Sequence, residues 1–564
     1  MSNYLVGDLV AEFLAKCGVN TVFGMVSVHN IPILDGIDRQ SGIRFIMVRG
    51  EMGGTHMADG YARVKGSLGV IVSSTGPGAA NTAPGLIESR FAGSPVLHIT
   101  GQSPSSAIGR GQGFVHDVPD QLGMLSSLSK AAYRIRSAQE ALGVLTRAAV
   151  DALTAPTGPV SVEIPIDIQR TPIERPRILD HFILPLPEQR QPTSSEVDEL
   201  AEIVAKARRP MLWLGTGSRG ALKPVQSLLD MGFGMVTSWA GRGVVPDDHP
   251  MNLGALNGIG APVVESFYET VDLMIVVGSR VRGHETMDFA NRLPANIVQI
   301  DIDPLANGRT YPNQYFVCAD ASATLTRLVE RVAGRMHVED GYPQEFQKMK
   351  KDAIEQFRST LGPYADFPSH LRSVMPRDAI WVRDVTLNNS TWGNKIFPLY
   401  GPRDGVYPVG AGIGLGLSLG IGAAAAANGR KVVTMCGDGG FFLNVGELWT
   451  AVQEGLDLVI IVMNDNGYGV IKHIQDSLYG ERRVFGDLKN PDLGKLAQLA
   501  EIPFWKVSTA EDILSSVKEA MDTSGPTLIE VDMNSIGEFP PYYPYGKEGI
   551  TALRSKAESG SGKI

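Results

Sequence analysis

The sequence predicts an α/β fold of three consecutive doubly wound parallel-sheet domains. Short apolar runs of strand length end in glycine-rich or polar loops and alternate with segments of helical period. The pattern returns in three separate regions of a 564-residue chain, a length that itself suggests three or four domains. With 43% hydrophobic and 20% charged residues, the composition is that of a globular protein with a substantial core.

The first domain is expected over residues 1–172. Val6 to Lys16 has helical spacing, and Thr21 to Gly24 reads as a strand meeting a glycine turn. A second strand, Ile43 to Val48, delivers Arg49-Gly50-Glu51, and the helix that follows contains Thr55 to Arg63. A third, Val70 to Ser74, ends in Thr75-Gly76-Pro77-Gly78. Loops at the carboxyl ends of parallel strands are where such sheets bind ligands. Taken alone, Glu51 reads as a solvated residue at a strand end.

Residues 173 to 195 are rich in Pro, Arg and Glu without a period and read as a surface linker. The middle domain, 190–340, opens with Gly215-Thr-Gly217-Ser-Arg-Gly220 directly after a strand, a dinucleotide fingerprint. The next strand, Met235 to Trp239, lacks the acid that would hold an adenine ribose, which counts against a hydride-transferring dehydrogenase. Arg280, Asp301 and Asp303 stand at later strand ends, where they could serve a nucleotide or belong to a purely structural domain.

The third domain, 365–535, carries the strongest signal. Lys431 to Gly437 is an apolar strand running into Asp438-Gly439-Gly440, with a helix expected from near Asn444. Glycines let backbone N–H groups approach an anion, and a helix start adds positive potential. A second strand, Asp457 to Met463, ends in Asn464-Asp465-Asn466-Gly467-Tyr468. A right-handed βαβ unit makes the two strand ends neighbours. Asp438, Asp465 and the Gly467 carbonyl can then share an octahedral Mg²⁺ with two phosphate oxygens, which implies a bound diphosphate. Thr386 and Asn388, in a polar loop after the strand Ala379 to Val382, are placed to touch that diphosphate. The run Gly410-Ala411-Gly412-Ile413-Gly414 reads on its own as a close helix–sheet packing segment.

The stretch from Gly437-Asp438-Gly439 through Asn464-Asp465 to Tyr468 resembles the signature of thiamine diphosphate (ThDP) enzymes, with Asp465 standing where the family carries Asn. Glu51, His56-Met-Ala-Asp59-Gly-Tyr-Ala-Arg63 and Ser73 to Asn81 are similar to the pyrimidine-binding domain of the acetolactate synthase, benzoylformate decarboxylase and benzaldehyde lyase group. The resemblance covers nearly the whole chain in the order pyrimidine, middle, diphosphate domain. It implies that Arg280, Asp301 and Asp303 fall at places that relatives with FAD or ADP use, but Gly283-His-Glu-Thr286 does not repeat the acetolactate synthase FAD motif, so a structural middle domain is favoured. It implies that Glu51 bonds a ring nitrogen of the aminopyrimidine and favours its imino form. It also implies that Ile413 props the cofactor into a bent shape, with the Ala411 carbonyl facing the pyrimidine amine, and that Thr75, Gly76, Gly437, Gly439, Gly440 and Tyr468 line the cofactor. His29 falls where benzaldehyde lyase has a histidine; with His116 it is a candidate proton shuttle. Gly50 stands where many relatives have His, which leaves the role of Glu51 intact but points to a different substrate edge, and the altered loop at 25–30 counts against a biosynthetic acetolactate synthase. The family parallel implies a homodimer or dimer of dimers and a lyase or carboligase acting beside a carbonyl, on a 2-oxo acid, a 2-hydroxy ketone or a 2-hydroxyacyl-CoA. A non-catalytic homologue is disfavoured because Glu51 and both acids are present.

The net charge of −9 and pI near 5.7 argue against nucleic-acid or membrane-surface partners. Cys17, Cys318 and Cys436 show no metal or redox spacing. With no signal-peptide pattern and no bilayer-length apolar run, a cytoplasmic protein is expected. The tail, 536–564, with Arg554, Lys556 and Lys563, is expected to fold over the active-site mouth or to fray, and its basic charge would suit an acyl-CoA.

Overall fold

The computed structural model describes residues 4–257, 261–286 and 288–540. The tail from 541 onward, on which the lid and acyl-CoA expectations rest, lies outside the described residues. Every strand pairing within the three sheets is parallel. Parallel strands need crossover connections, and the helical-period segments supply them.

The first sheet contains β1 (Thr21–Gly24), β2 (Arg44–Met47), β3 (Gly69–Ser73), β4 (Val96–Gln102), β5 (Ala131–Arg134) and β6 (Val160–Pro165), in the order β2-β1-β3-β4-β6-β5. The middle sheet has β7 (Pro210–Leu214), β8 (Gly234–Thr237), β9 (Leu273–Val277), β10 (Ile297–Asp301) and β11 (Tyr315–Cys318), ordered β11-β10-β9-β7-β8. The third has β12 (Ile380–Arg383), β13 (Gly405–Val406), β14 (Val432–Gly437), β15 (Leu458–Asn464), β16 (Phe504–Val507) and β17 (Thr527–Asp532), ordered β13-β12-β14-β15-β17-β16. Renumbered from its own first strand, the third sheet repeats the order of the first, a duplication of topology that no internal sequence repeat betrays. In each sheet the order reverses beside the first strand, which puts a crevice at the carboxyl ends of β1/β3, β7/β9 and β12/β14.

The segment 173–195 is more tied down than a free linker. Arg175 pairs with Glu12 and Asp180, and Leu179 is fully buried in a 3₁₀ turn, Arg177–His181. Lys130, though exposed, donates to the carbonyls of Asp151 and Thr154 at the end of the helix Ala141–Leu153.

The helix Glu51–Lys65 of the first domain crosses the helix Gly416–Ala426 of the third at backbone contact. A methyl group on Gly60 would collide with the Leu419 carbonyl, and one on Gly422 with the Met57 carbonyl. Neither obstacle is a side chain that can swing away. Gly422→Ala is therefore expected to destabilise the protein by about 2 kcal/mol or more by forcing the helices apart, measured as a lowered urea midpoint; an unchanged midpoint would show that the crossing tolerates separation.

Candidate active site

Residues expected at the site gather at the crevices of the first and third sheets. β14 and β15 pair with Gly437 opposite Met463, so Asp438 and Asp465 leave adjacent strand ends. The helix Asp438–Leu443 begins at Asp438 itself, not near Asn444, where a 3₁₀ turn (Val445–Glu447) follows. Gly437 has the extended conformation of a helix cap, and an acid in the first turn is favoured by the helix dipole.

Asp438 is buried, and its Oδ2 accepts from the Gly467 N–H at 2.9 Å and from Asn490 Nδ2 at 2.5 Å. Its Oδ1 has no protein partner. Burial first, then the Asp438 charge, pushes the Asp465 carboxyl up to about 7. Among the described residues no group of three or more His, Cys, Asp or Glu is clustered as a metal site. The two acids therefore fit a cation that takes most of its oxygens from elsewhere, as Mg²⁺ on a diphosphate does. An orphaned, buried Oδ1 is the atom such an ion would satisfy.

Glycines shape the cradle. Gly439 packs on the Tyr468 ring, and a methyl group on Gly440 would stand 2.6 Å from Asp384 Oδ2. Asp384 is fully buried at the end of β12 and accepts from the Val385 N–H at 2.7 Å and the Gly414 N–H at 3.1 Å. Burial pushes its carboxyl up to about 6 against these backbone bonds. Asp384 thus joins three loops: its own, the one carrying Ala411 and Ile413, and Asp438-Gly439-Gly440. Ala411 has φ of 61°, a left-handed conformation costing an alanine about 1 kcal/mol, and Ile413 next to it is exposed.

Thr386 lies beside Gly437, and its hydroxyl accepts from the Asn389 N–H at 3.0 Å. Asn388 departs from expectation. Its amide accepts from Trp392 Nε1 at 2.8 Å and donates toward Met533 Sδ, so it packs the core beneath the loop and its amide is not free for the diphosphate.

In the first domain, Glu51 is the first residue of its helix and is buried. Its Oε2 accepts from Asn81 Nδ2 at 3.2 Å, and a methyl group on Gly78 would stand 2.6 Å from Oε1. His29 and His116 converge from separate loops, their ring centroids 5.4 Å apart. Burial, then the His116 ring and Arg170, lowers the His29 pKa; its Nδ1 is buried without a partner. His116 has φ of 67°, and its carbonyl fills the space where Gly76 lacks a Cβ. Thr75 and Gly76 are less available than their motif suggests: the Thr75 hydroxyl donates to Gln121 Oε1 at 2.8 Å and the Gly76 N–H at 2.7 Å.

Gln121, Asp384 and Asn490 were not singled out by the sequence. Asn490 lies 52 residues beyond Asp438, and no spacing rule joins them. The only available signal for Asp384 was its place at a strand end next to the crevice.

Arg280, Asp301 and Asp303 line a separate cavity of about 620 Å³ at the β7/β9 crevice, with Gly215 and Gly217 on its wall. Arg219 lines it too. Burial, then Arg403 and Arg63, pushes Arg219 down to about 9, and its Nε has no partner.

Family models match three stretches: the thiamine pyrophosphate enzyme N-terminal TPP binding domain over residues 5–124, the central domain over 197–328 and the C-terminal TPP binding domain over 387–531. The chain is 31% identical over 536 residues to a probable 2-ketoarginine decarboxylase of Pseudomonas aeruginosa, covering 93% of each protein. It is 28% identical over 554 residues to the acetolactate synthase isozyme 1 large subunit of Escherichia coli, covering 96% of each. Chloroplastic acetolactate synthase 2 of Brassica napus is 27% identical over 568 residues, covering 96% of this chain and 87% of the plant protein. Matched from end to end in domain order, with the glycine-bounded acid and its partner on adjoining strands, the chain belongs to the thiamine pyrophosphate enzymes and is a ThDP-dependent enzyme that makes or breaks carbon–carbon bonds.

Proposed function

We propose that this enzyme is a ThDP- and Mg²⁺-dependent lyase or carboligase that takes a 2-oxo acid as donor, and that it works as a homodimer or a dimer of dimers. The observation that carries the metal reading is the Asp438–Asp465 pair at neighbouring strand ends, with one carboxylate oxygen unsatisfied. A 2-oxo acid is the donor suggested by the name of the 2-ketoarginine decarboxylase relative; the altered loop at 25–30 favours a lyase or carboligase over biosynthetic acetolactate synthesis. Exposure of Val26, Val28, Val115, Ile413 and Ile471, on or beside the site loops, supports a second subunit covering them.

Asp438, Asp465 and the Gly467 carbonyl would hold the ion, the Gly467 N–H would orient Asp438, and the backbone from Gly437 to Gly440 would approach the diphosphate. Glu51 would bond the pyrimidine, with Ala411 and Ile413 setting its position. When bound, ThDP would supply a carbon nucleophile for the donor carbonyl and a sink for the electron pair of the bond beside it. His29 and His116 stand where protons of the substrate hydroxyl and carboxyl are held or moved, and the depressed His29 pKa keeps that ring neutral and able to accept one.

The cavity beside β7 and β9 favours a second ligand, a nucleotide such as ADP or FAD, over a purely structural middle domain. Arg219 and Arg403 point their guanidinium groups at carbonyls of Ala240 and Arg63 rather than at carboxylates. Bringing an anion among these half-buried arginines would offset both their desolvation and their mutual repulsion.

Three outcomes are expected. Glu51→Gln lowers kcat by about 100-fold or more on whichever 2-oxo acid is turned over, as loss of a proton-handling group does; a rate near that of the parent would remove Glu51 from the reaction. Asp465 binds a proton more tightly in the folded apoprotein than in the unfolded chain. Magnesium-assisted ThDP uptake should therefore weaken by up to about tenfold per pH unit below 7, and by calorimetry Asp465→Asn should flatten that slope. Arg219→Ala should weaken ADP binding by about tenfold, the worth of one charge-assisted hydrogen bond; calorimetry showing no ADP binding to the parent would dismiss the nucleotide.

A further inference from the structure

The span Ala411 to Ile413 runs between two buried carboxylates. Downstream, Asp384 takes the Gly414 N–H, as described above. Upstream, the carboxylate is Glu88, which belongs to the helix Ala83–Ala92 of the first domain. Its Oε1 accepts from the Val409 N–H at 2.6 Å and its Oε2 from the Gly410 N–H at 2.8 Å. Arg63 holds Glu88 in place: its Nη2 donates to Oε1 at 2.7 Å, its Nη1 to the Tyr407 carbonyl at 2.6 Å and its Nε to Asp59 at 2.8 Å. From the middle domain, Arg282 donates to the Val409 carbonyl at 2.5 Å and to the Tyr407 hydroxyl at 2.9 Å. Gly410 lets its N–H come this close, since a methyl group there would stand 2.9 Å from Glu88 Oε2. The Glu88 helix is itself firmly seated, with Gly85 against the Thr55 side chain of the Glu51 helix.

We propose that Glu88 is a positioning residue for the Ala411 to Ile413 span, fixing where that span stands relative to the Asp438 and Asp465 carboxylates. This deepens the reading that Ala411 and Ile413 set the position of the pyrimidine, and rests on it. The distance at stake lies within the third domain of one chain, whichever subunit supplies Glu51. Two oxygens facing two consecutive N–H groups fix both the place and the direction of the backbone, and bonds to an ionised acceptor are the stronger kind. An amide in place of Glu88 would offer one oxygen and set its own donor against the second N–H. Without any acceptor the two buried N–H groups must turn toward water, carrying Ala411 with them. Since 1 Å of misplacement can cost a reaction about 100-fold, a small turn there is enough to matter.

The experiment compares Glu88→Ala, Glu88→Gln and Ile413→Ala with the parent as full-length protein. Calorimetry in excess Mg²⁺ measures affinity for ThDP and for inorganic pyrophosphate, which meets the ion and its acids but has no pyrimidine to be positioned. Kinetics at saturating ThDP give kcat and substrate KM, and a melting temperature is taken for each variant. Glu88→Gln keeps the volume of the side chain, so the contact stays testable should Glu88→Ala not fold. Both Glu88 variants are expected to weaken ThDP by about tenfold or more while pyrophosphate stays within about twofold of the parent. They should also lower kcat by about tenfold or more with KM little changed. Equal losses of affinity for ThDP and pyrophosphate, or a lowered melting temperature with ThDP affinity and kcat at parental values, would overturn the proposal and leave Glu88 merely structural. Should Ile413→Ala keep parental ThDP affinity and kcat, the span has no part in placing the cofactor and this proposal falls with that reading; impairment in Ile413→Ala alone overturns only the part played by Glu88.

Discussion

The arrangement turns on two carboxylates forced together in a poorly hydrated place. Parallel pairing of β14 with β15 puts Asp438 and Asp465 on adjoining strand ends, and burial denies them the water that would screen their repulsion. Asp438 meets part of the cost through the Gly467 N–H and the Asn490 amide, and Asp465 through a proton held to near neutrality. A divalent cation cancels the same repulsion directly. For an ion placed there, as proposed, binding energy would be stored in the fold as electrostatic strain, and a neutral Asn at 465 would store less of it.

Around this pair, the chain uses backbone where other designs use side chains. Gly439 admits the Tyr468 ring, Gly440 admits the Asp384 carboxylate, and Gly414 hands its N–H to the same carboxylate. Asp384 is a buried anion set among N–H groups, the way anions are held at helix starts and nests. The left-handed Ala411 is accepted because Asp384 fixes Gly414 three residues on. In the first domain Gln121 does the equivalent work, drawing the Thr75 hydroxyl and the Gly76 N–H inward.

Much of this was legible in the residues. Apolar runs marked the strands because parallel strands, covered on both faces, have no reason to alternate. The acid between glycines and the second acid a strand later were expected to be neighbours from chain order alone, and they do leave adjoining strand ends. What escaped was contact across long separations. Asn490 reaches Asp438 over an irregular segment, and Glu447 reaches Gly50 over most of the chain's length; neither pairing leaves a period or spacing to read. Asn388 misled because a polar residue in a site loop looks outward, whereas its amide answers the buried Trp392 indole. In the middle domain the incomplete fingerprint gave no sign of the cavity beside β7 and β9, because its arginines come from distant parts of the chain.

At the crossing of the Glu51 and Gly416 helices, glycine meets carbonyl twice, with no side chain between. A layer of leucines could be compressed or re-rotamered; peptide planes cannot. The first and third sheets are in effect welded, so neither can slide over the other to admit a ligand. Any gate to the crevice must be cut from the loops around it, which makes loop sequence, and not domain hinging, the natural place for this scaffold to change what it lets in.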